Sequence, residues 1–329
     1  MSISYIPTLA DLDRAAVRKG GLKEFILASW PRVVAAPLSW NWHLDIVVNA
    51  LESVTRGETR KLYIGMPPGC SKTLIAAVFW PAWEWTMMPW SGWITGTYGA
   101  SLTLKSARQH RDLVSSEWYR DRWQHVTIPY QNTHAAAWFE NSAKGFRFSG
   151  TVGGDVTGRH GHRLLGDDLN KGQDVYGSID SVVNTFERSW DYWDGTLPKR
   201  LADPKNSAQV LIGQRLHRDD VPGRWLESDS SVNVLCFPMR FDPHHPYKHP
   251  LDPRKTPGEL LWPDRWTDEA VMEQERRPSE FAAQFQQLPL PPGGLIICEN
   301  HLWNRYRTLP EQIIEVMAGE RSPNNLRLI

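Results

Sequence analysis

The chain has 329 residues, 41% hydrophobic and 22% charged, and its 37 basic and 37 acidic side chains cancel to zero net charge. This describes a soluble globular protein of one or two domains. Overall charge gives no attraction for nucleic acid, so any DNA contact must come from a local patch. The three cysteines (Cys70, Cys236, Cys298) are odd in number and far apart, which implies no disulfide framework or zinc site and suits a reducing cytoplasm. No apolar run is long enough to span a membrane, and no signal peptide opens the sequence.

Residues 1–38 read as a polar helical lead-in, closed by Pro37. Trp40 to Val54 is an amphipathic helix, with Trp42, Ile46, Val47 and Leu51 spaced for one buried face. Next comes Lys61 to Thr73, KLYIGMPPGCSKT. The apolar residues Leu62, Tyr63 and Ile64 predict a buried strand. The loop Met66-Pro67-Pro68-Gly69-Cys70 follows, and Ser71-Lys72-Thr73 opens a helix that Pro81 bends or ends.

Strand, loop, then Lys-Thr at a helix start is the layout of a phosphate-binding loop. Backbone N–H groups at a helix N-terminus are unpaired and partly positive, so they cradle phosphates. Lys72 would reach the β- and γ-phosphates of ATP, and the Thr73 hydroxyl would sit on Mg²⁺. The pattern departs from the standard one, with Met66 and Ser71 where glycines are expected. Taken alone, the stretch is equally an ordinary strand-to-helix turn punctuated by Pro67-Pro68-Gly69. If a nucleotide binds here, the preceding helix offers Trp40, Trp42 and His43 to the base, with core packing as the alternative. Cys70 reads as a small filler residue rather than a redox switch.

Ser91 to Tyr98 is a second strand, and Gly99 to Tyr119 a long helix carrying Arg108 and Arg111 three apart on one side. That pair is an arginine-finger candidate or a solvated face. Residues 135–139 and 145–149 form a hairpin. His162 to Asp168 is a strand ending in two adjacent carboxylates. A helix over 178–193 follows, then strands over 209–213, leading into Gln214-Arg215, and 232–237. Apolar strands alternating with helices predict a parallel sheet covered on both faces. From about Asp242 the chain is rich in Pro and His. His244, His245 and His249 mimic metal-ligand spacing but read as a solvated loop. Thr267 to Gln287 is helical with a break at Pro278, and LPLPPGG over 288–294 has linker composition. The 17 tryptophans read mainly as packing residues.

A phosphate loop needs a metal partner. In ATPases of this class a buried strand ends in an Asp that holds Mg²⁺, followed by an acidic residue that activates water. Asp167 takes the metal role and Asp168 the general-base or water-orienting role. Gln214 or Arg215, at the end of the following strand, would sense the γ-phosphate.

In order, MPPGCSKT, TYGASLTLKSARQHRDLVSSEWY, GTVGGDVTGRHGHRLLGDDLNKGQDVYGS, VLIGQRLHRDDVPGRWLE, and GELLWPDRW with FAAQFQQLPLPPGG resemble the ATPase domain of tailed-phage terminase large subunits, over Trp40 to Gly294. In that family the first Gly of the loop is often absent and Pro-Pro is common. The resemblance implies an α/β P-loop NTPase of the additional-strand type, with a mostly parallel sheet flanked by helices on both faces. It also implies ATP hydrolysis coupled to translocation of double-stranded DNA. Implied partners are a portal protein, a small terminase subunit and further copies in a ring docked at the procapsid, in the host cytoplasm.

The organisation expected is a lead-in (1–38), an ATPase core (39–240), a lid or linker segment (241–294) and the start of a nuclease-side region (295–329). Between Gly294 and Ile329 the only acidic residues are Glu299, Glu311, Glu315 and Glu320, so no nuclease carboxylate cluster is expected from this chain. Two alternatives stay open: a helicase-like motor with the same core, and an assembly subunit that binds nucleotide without turnover.

Overall fold

The computed structural model describes residues 7–129, 137–154, 156, 158–175 and 178–289. They belong to one compact unit, Met1–Leu290. At its centre is a seven-stranded sheet. The strands are β1 (Lys61–Gly65), β2 (Gly92–Thr97), β3 (Trp138–Glu140), β4 (Phe146–Thr151), β5 (Arg163–Asp167), β6 (Ala208–Gly213) and β7 (Asn233–Cys236). Their spatial order is β3-β4-β2-β5-β6-β1-β7. Every neighbouring pair is parallel except the β3–β4 hairpin.

Alternation along the central strands sends side chains to two separate cores. Leu62 and Ile64, Leu165, and Val210 and Ile212 pack into one cluster. Tyr63, Leu164 and Leu211 pack into the other. Both faces are therefore covered, which is why these strands are apolar throughout. The first cluster takes in α1 (Leu9–Ser29) and α2 (Trp42–Thr55); the second takes in Trp225 of the helix α7 (Val221–Ser228). Trp80, Trp85, Trp93, Trp193 and Trp262 are among the largest fully buried side chains, as expected of packing tryptophans.

The lead-in and the 241–289 segment are packed into this unit. Val17, Leu22, Phe25 and Ile26 join the first cluster, and so do Leu261, Trp262, Val271 and Phe285. The changes of texture near 38 and 240 are thus not breaks in packing. The expected boundary at 294 and the region 295–329 lie outside the described residues.

Three details differ from the sequence reading. The helix after the phosphate loop, α3 (72–85), continues through Pro81, with residues 75–79 in wider π-type turns. Pro81 has no N–H for the carbonyl of Ala77, four residues back. The buried guanidinium of Arg147, on β4, donates to that oxygen instead. The expected 99–119 helix is two helices, α4 (Ala100–Ser115) and α5 (Glu117–Arg122). Ser116 is extended and its hydroxyl caps the second through Tyr119 N. The helix α7 was not anticipated; Asp220 caps it through Gly223 N at 2.8 Å. The remaining helix of the central region, α6 (Ile179–Trp190), lies where expected.

Candidate functional site: a strand-to-helix loop beside two carboxylates

The register brings four strand ends together. Gly65 lies beside Gly213, Ile212 beside Asp167, and Asp167 beside Thr97. The loop leaving β1 is tied to β6 by Met66 N donating to Gly213 O at 3.2 Å. Two residues turn the chain into the helix, Gly69 (φ +77°) and Ser71 (φ +61°, ψ +15°). Both are left-handed, a conformation that costs a residue with a Cβ about 1–2 kcal/mol. The Ser71 position therefore has a backbone reason to favour glycine. Lys72 is buried and its ammonium donates to Met66 O (2.7 Å) and Pro67 O (2.9 Å). Cys70 is fully buried, and burial pushes its thiol up to about 11. That thiol is inert packing, as read from the sequence.

Across the loop, the Thr73 hydroxyl donates to Asp167 Oδ1 at 3.0 Å. Burial, and then the neighbouring Asp168 charge, push Asp167 up to about 7; the Thr73 hydrogen bond, Lys72 and Arg147 pull it back. Asp168 has φ +46°, a left-handed turn that Asp tolerates better than most residues. The turn sets its Oδ1 3.3 Å from Gln214 N, at the end of β6. Burial raises the Asp168 carboxyl, opposed by Lys72 and by the Gln214 N–H. A Cβ at Gly213 would come within 2.9 Å of Asp168 Oδ1, so a larger residue there would displace that carboxylate oxygen.

Lys72, Thr73, Asp167, Asp168 and Gln214 are thus brought together. Gln214 makes its link through the backbone, and its buried side-chain oxygen accepts no hydrogen bond among the described residues. Arg215 does not face the site as a γ-phosphate sensor would. Its guanidinium is buried against Asp220 at 2.9 Å and against the carbonyls of His217 and Arg218. Its N–H donates to Gln287 Oε1 at 3.1 Å, which ties the strand end to the 281–287 segment.

The other candidates lie apart. His43 is fully buried among Trp42, Phe237 and Trp262, and Asn41 Nδ2 donates to its Nδ1 at 2.6 Å. Trp42 packs edge-on against Phe237 and under Arg254. The packing alternative describes both residues. Arg108 is exposed, about 12 Å along α4 from its first residue. Arg111 is paired with Asp112 at 2.9 Å. Of the histidines, His245 Nε2 contacts Gln286 O, and the Nδ1 atoms of His245 and His249 accept backbone N–H groups. No group of three or more His, Cys, Asp or Glu among the described residues is placed to hold a metal. A cavity of about 1020 Å³, lined by Arg14, Lys23, Glu52, Arg56 and Arg122, holds none of the loop residues.

The sequence reading missed two residues at the loop. A Cβ on Gly69 would lie 3.5 Å from Arg265 Nε and Nη2, and 3.7 Å from the Trp266 ring. Nothing local marks them, since they come from the far end of the chain.

The donor set fits Mg²⁺. A hydroxyl and a carboxylate oxygen in contact, both hard ligands, are what such an ion takes from protein, with phosphate and water completing its shell. A buried carboxylate beside a half-buried one also calls for a cation. Thr73 and Asp167 would hold it, and it would screen the phosphate charge.

The strand β6 sits between β1, which carries the phosphate loop, and β5, which carries Asp167. This seven-stranded, mostly parallel α/β arrangement is consistent with the P-loop NTPase fold of the additional-strand type. Neither a protein-family model nor a curated protein matches it. Among solved structures it is similar to the large terminase of bacteriophage HK97, at 11% identity and a TM-score of 0.46, covering 80% of this chain and 54% of that one. It is also similar to the large terminase of a thermophilic bacteriophage in complex with ADP, at 10% identity and a TM-score of 0.39, covering 71% and 52%. The chain spans about half the length of the structures it matches. No described helix is long and apolar enough to cross a membrane.

Proposed function

We propose that the chain hydrolyses ATP and is the ATPase part of a terminase-type motor that moves double-stranded DNA into a procapsid. The observation that carries the hydrolase reading is the 3.0 Å contact of Thr73 with Asp167, made between a phosphate-loop helix and the end of a buried strand. The five sequence segments in terminase order support the motor reading. A portal protein, a small terminase subunit and a ring of copies belong to the same proposal.

The loop amides and Lys72 bind the phosphates, and Lys72 exchanges the Met66 and Pro67 carbonyls for phosphate oxygens. Asp168, raised by burial, orients the attacking water and accepts its proton. Attack on the γ-phosphorus in line with the β–γ bridging oxygen breaks that bond and gives ADP and inorganic phosphate. The Gln214 N–H on Asp168 links this event to β6 and, through Arg215 N and Gln287, to the 281–287 segment.

A second reading, nucleotide binding without turnover, is favoured by Lys72 resting on its own loop and by Ser71 in a left-handed turn. Phosphate release measured with ATP and Mg²⁺, with and without linear double-stranded DNA, separates the two. Turnover stimulated by DNA supports the motor; tight binding with no turnover in either condition supports the second reading.

A further inference from the structure

The loop is faced by two cations from different parts of the chain. Lys72 approaches from within. Arg265 approaches from outside, its guanidinium lying 3.5 Å from where a Gly69 Cβ would be. Both charges act on the Cys70 thiol, opposing the upward push of burial.

Arg265 is held as a tool rather than used as a strut. It sits on a single turn in which its N–H donates to Trp262 O (3.1 Å) and Trp266 N donates to the same oxygen (2.9 Å). Its guanidinium lies over the buried Trp262 ring, 5.5 Å from the centroid. Trp262 in turn packs on His43, and Trp266 packs edge-on against Phe285. Yet the Arg265 side chain is exposed and, among the described residues, forms no ion pair. A guanidinium fixed at its base, unpaired at its tip and set against a phosphate loop matches a polyphosphate oxygen pair, which its planar fork takes in two parallel hydrogen bonds.

We propose that Arg265 is a phosphate-contacting residue of the nucleotide site, supplied in cis by the 262–266 turn. This rests on the nucleotide reading of the loop and extends it. Because Trp266 touches Phe285, phosphate contact at Arg265 also bears on the 281–287 segment that holds Arg215 N.

The test uses the full chain, with binding of ATP and ADP and competition by inorganic tripolyphosphate measured for wild type, Arg265→Ala, Arg265→Lys and Lys72→Ala. Arg265→Ala is expected to weaken ATP and tripolyphosphate by about tenfold or more, with Arg265→Lys between it and wild type. The nucleotide-free thermal midpoint should fall by no more than loss of the exposed stacking on Trp262 accounts for, a few degrees at most. Wild-type binding that Lys72→Ala abolishes but Arg265→Ala changes by less than about twofold overturns the Arg265 assignment and leaves the nucleotide site standing. Absence of nucleotide and tripolyphosphate binding in the wild type overturns both.

Discussion

The Thr73 hydroxyl donates to Asp167 across the gap between the helix that follows β1 and the end of β5. This joins residues far apart in sequence into one candidate metal-binding edge, and sets a buried carboxylate beside a second one, Asp168, at a stability cost. Asp167→Asn removes that charge but keeps an acceptor for Thr73. It should lower ATP turnover by about 100-fold or more while raising nucleotide-free stability by about 1–3 kcal/mol. Phosphate release and urea unfolding on the same preparation check both halves. A variant that loses stability along with turnover would show that the pair is structural.

Arg147 serves the Ala77 carbonyl that Pro81 leaves without a donor. Arg147→Met should destabilise by about 3 kcal/mol, since a buried acceptor loses its partner. Pro81→Ala restores a backbone N–H nearby, so the double variant should recover part of the loss. A double-mutant cycle by chemical denaturation reads the coupling, and simple additivity would count against it.

The strand–loop–helix layout of residues 61–73 and the place of Asp167 at a strand end were legible in the sequence because their signals are local. A strand, a turn and Lys-Thr lie within one short stretch, and Asp167 ends an apolar run. The two-sided sheet was legible for the same reason: Leu62, Tyr63 and Ile64 leave no polar face. Arg265 and Trp266 were not legible, because they reach Gly69 only through the tertiary fold. Arg215 shows the opposite failure. Its place beside Gln214 suggested a sensor, but Asp220, five residues on, claims its guanidinium. Trp42 carried helical spacing that reports packing, and it packs half-buried against the first core, while its neighbour His43 is fully buried. Pro81 was read as a bend or an end because its missing donor was visible, whereas the Arg147 that compensates for it was not.

Ser71 holds a left-handed turn that glycine adopts without strain. Ser71→Gly should stabilise the protein by about 1 kcal/mol and leave nucleotide binding intact. Thermal unfolding with and without ATP checks this; a fall in stability would mean that the serine side chain contributes more than its backbone costs.

His43 predicts an acid weakness. Burial, then the Arg254 charge, lower it from its ordinary value to about 3. The folded form keeps it neutral while the unfolded chain takes up a proton below pH about 6.5. Its contribution is therefore fully present above that pH and is lost as pH falls toward 3, amounting to about 2 kcal/mol between pH 7.5 and 5. The buried His110, lowered by burial and Arg147, adds in the same direction. His43→Phe, which keeps the ring packing, should reduce the acid loss by about that 2 kcal/mol in urea unfolding at the two pH values. An unchanged acid loss would place the sensitivity elsewhere.

The central claim is that the loop from Met66 to Thr73 is a working ATP site, and Lys72 tests it most directly. Steady-state phosphate release with Mg²⁺ and double-stranded DNA should be measurable for the wild-type chain. It should fall by about 100-fold or more in Lys72→Ala, with the variant still folded by circular dichroism. Equal phosphate release by the two proteins would contradict the account.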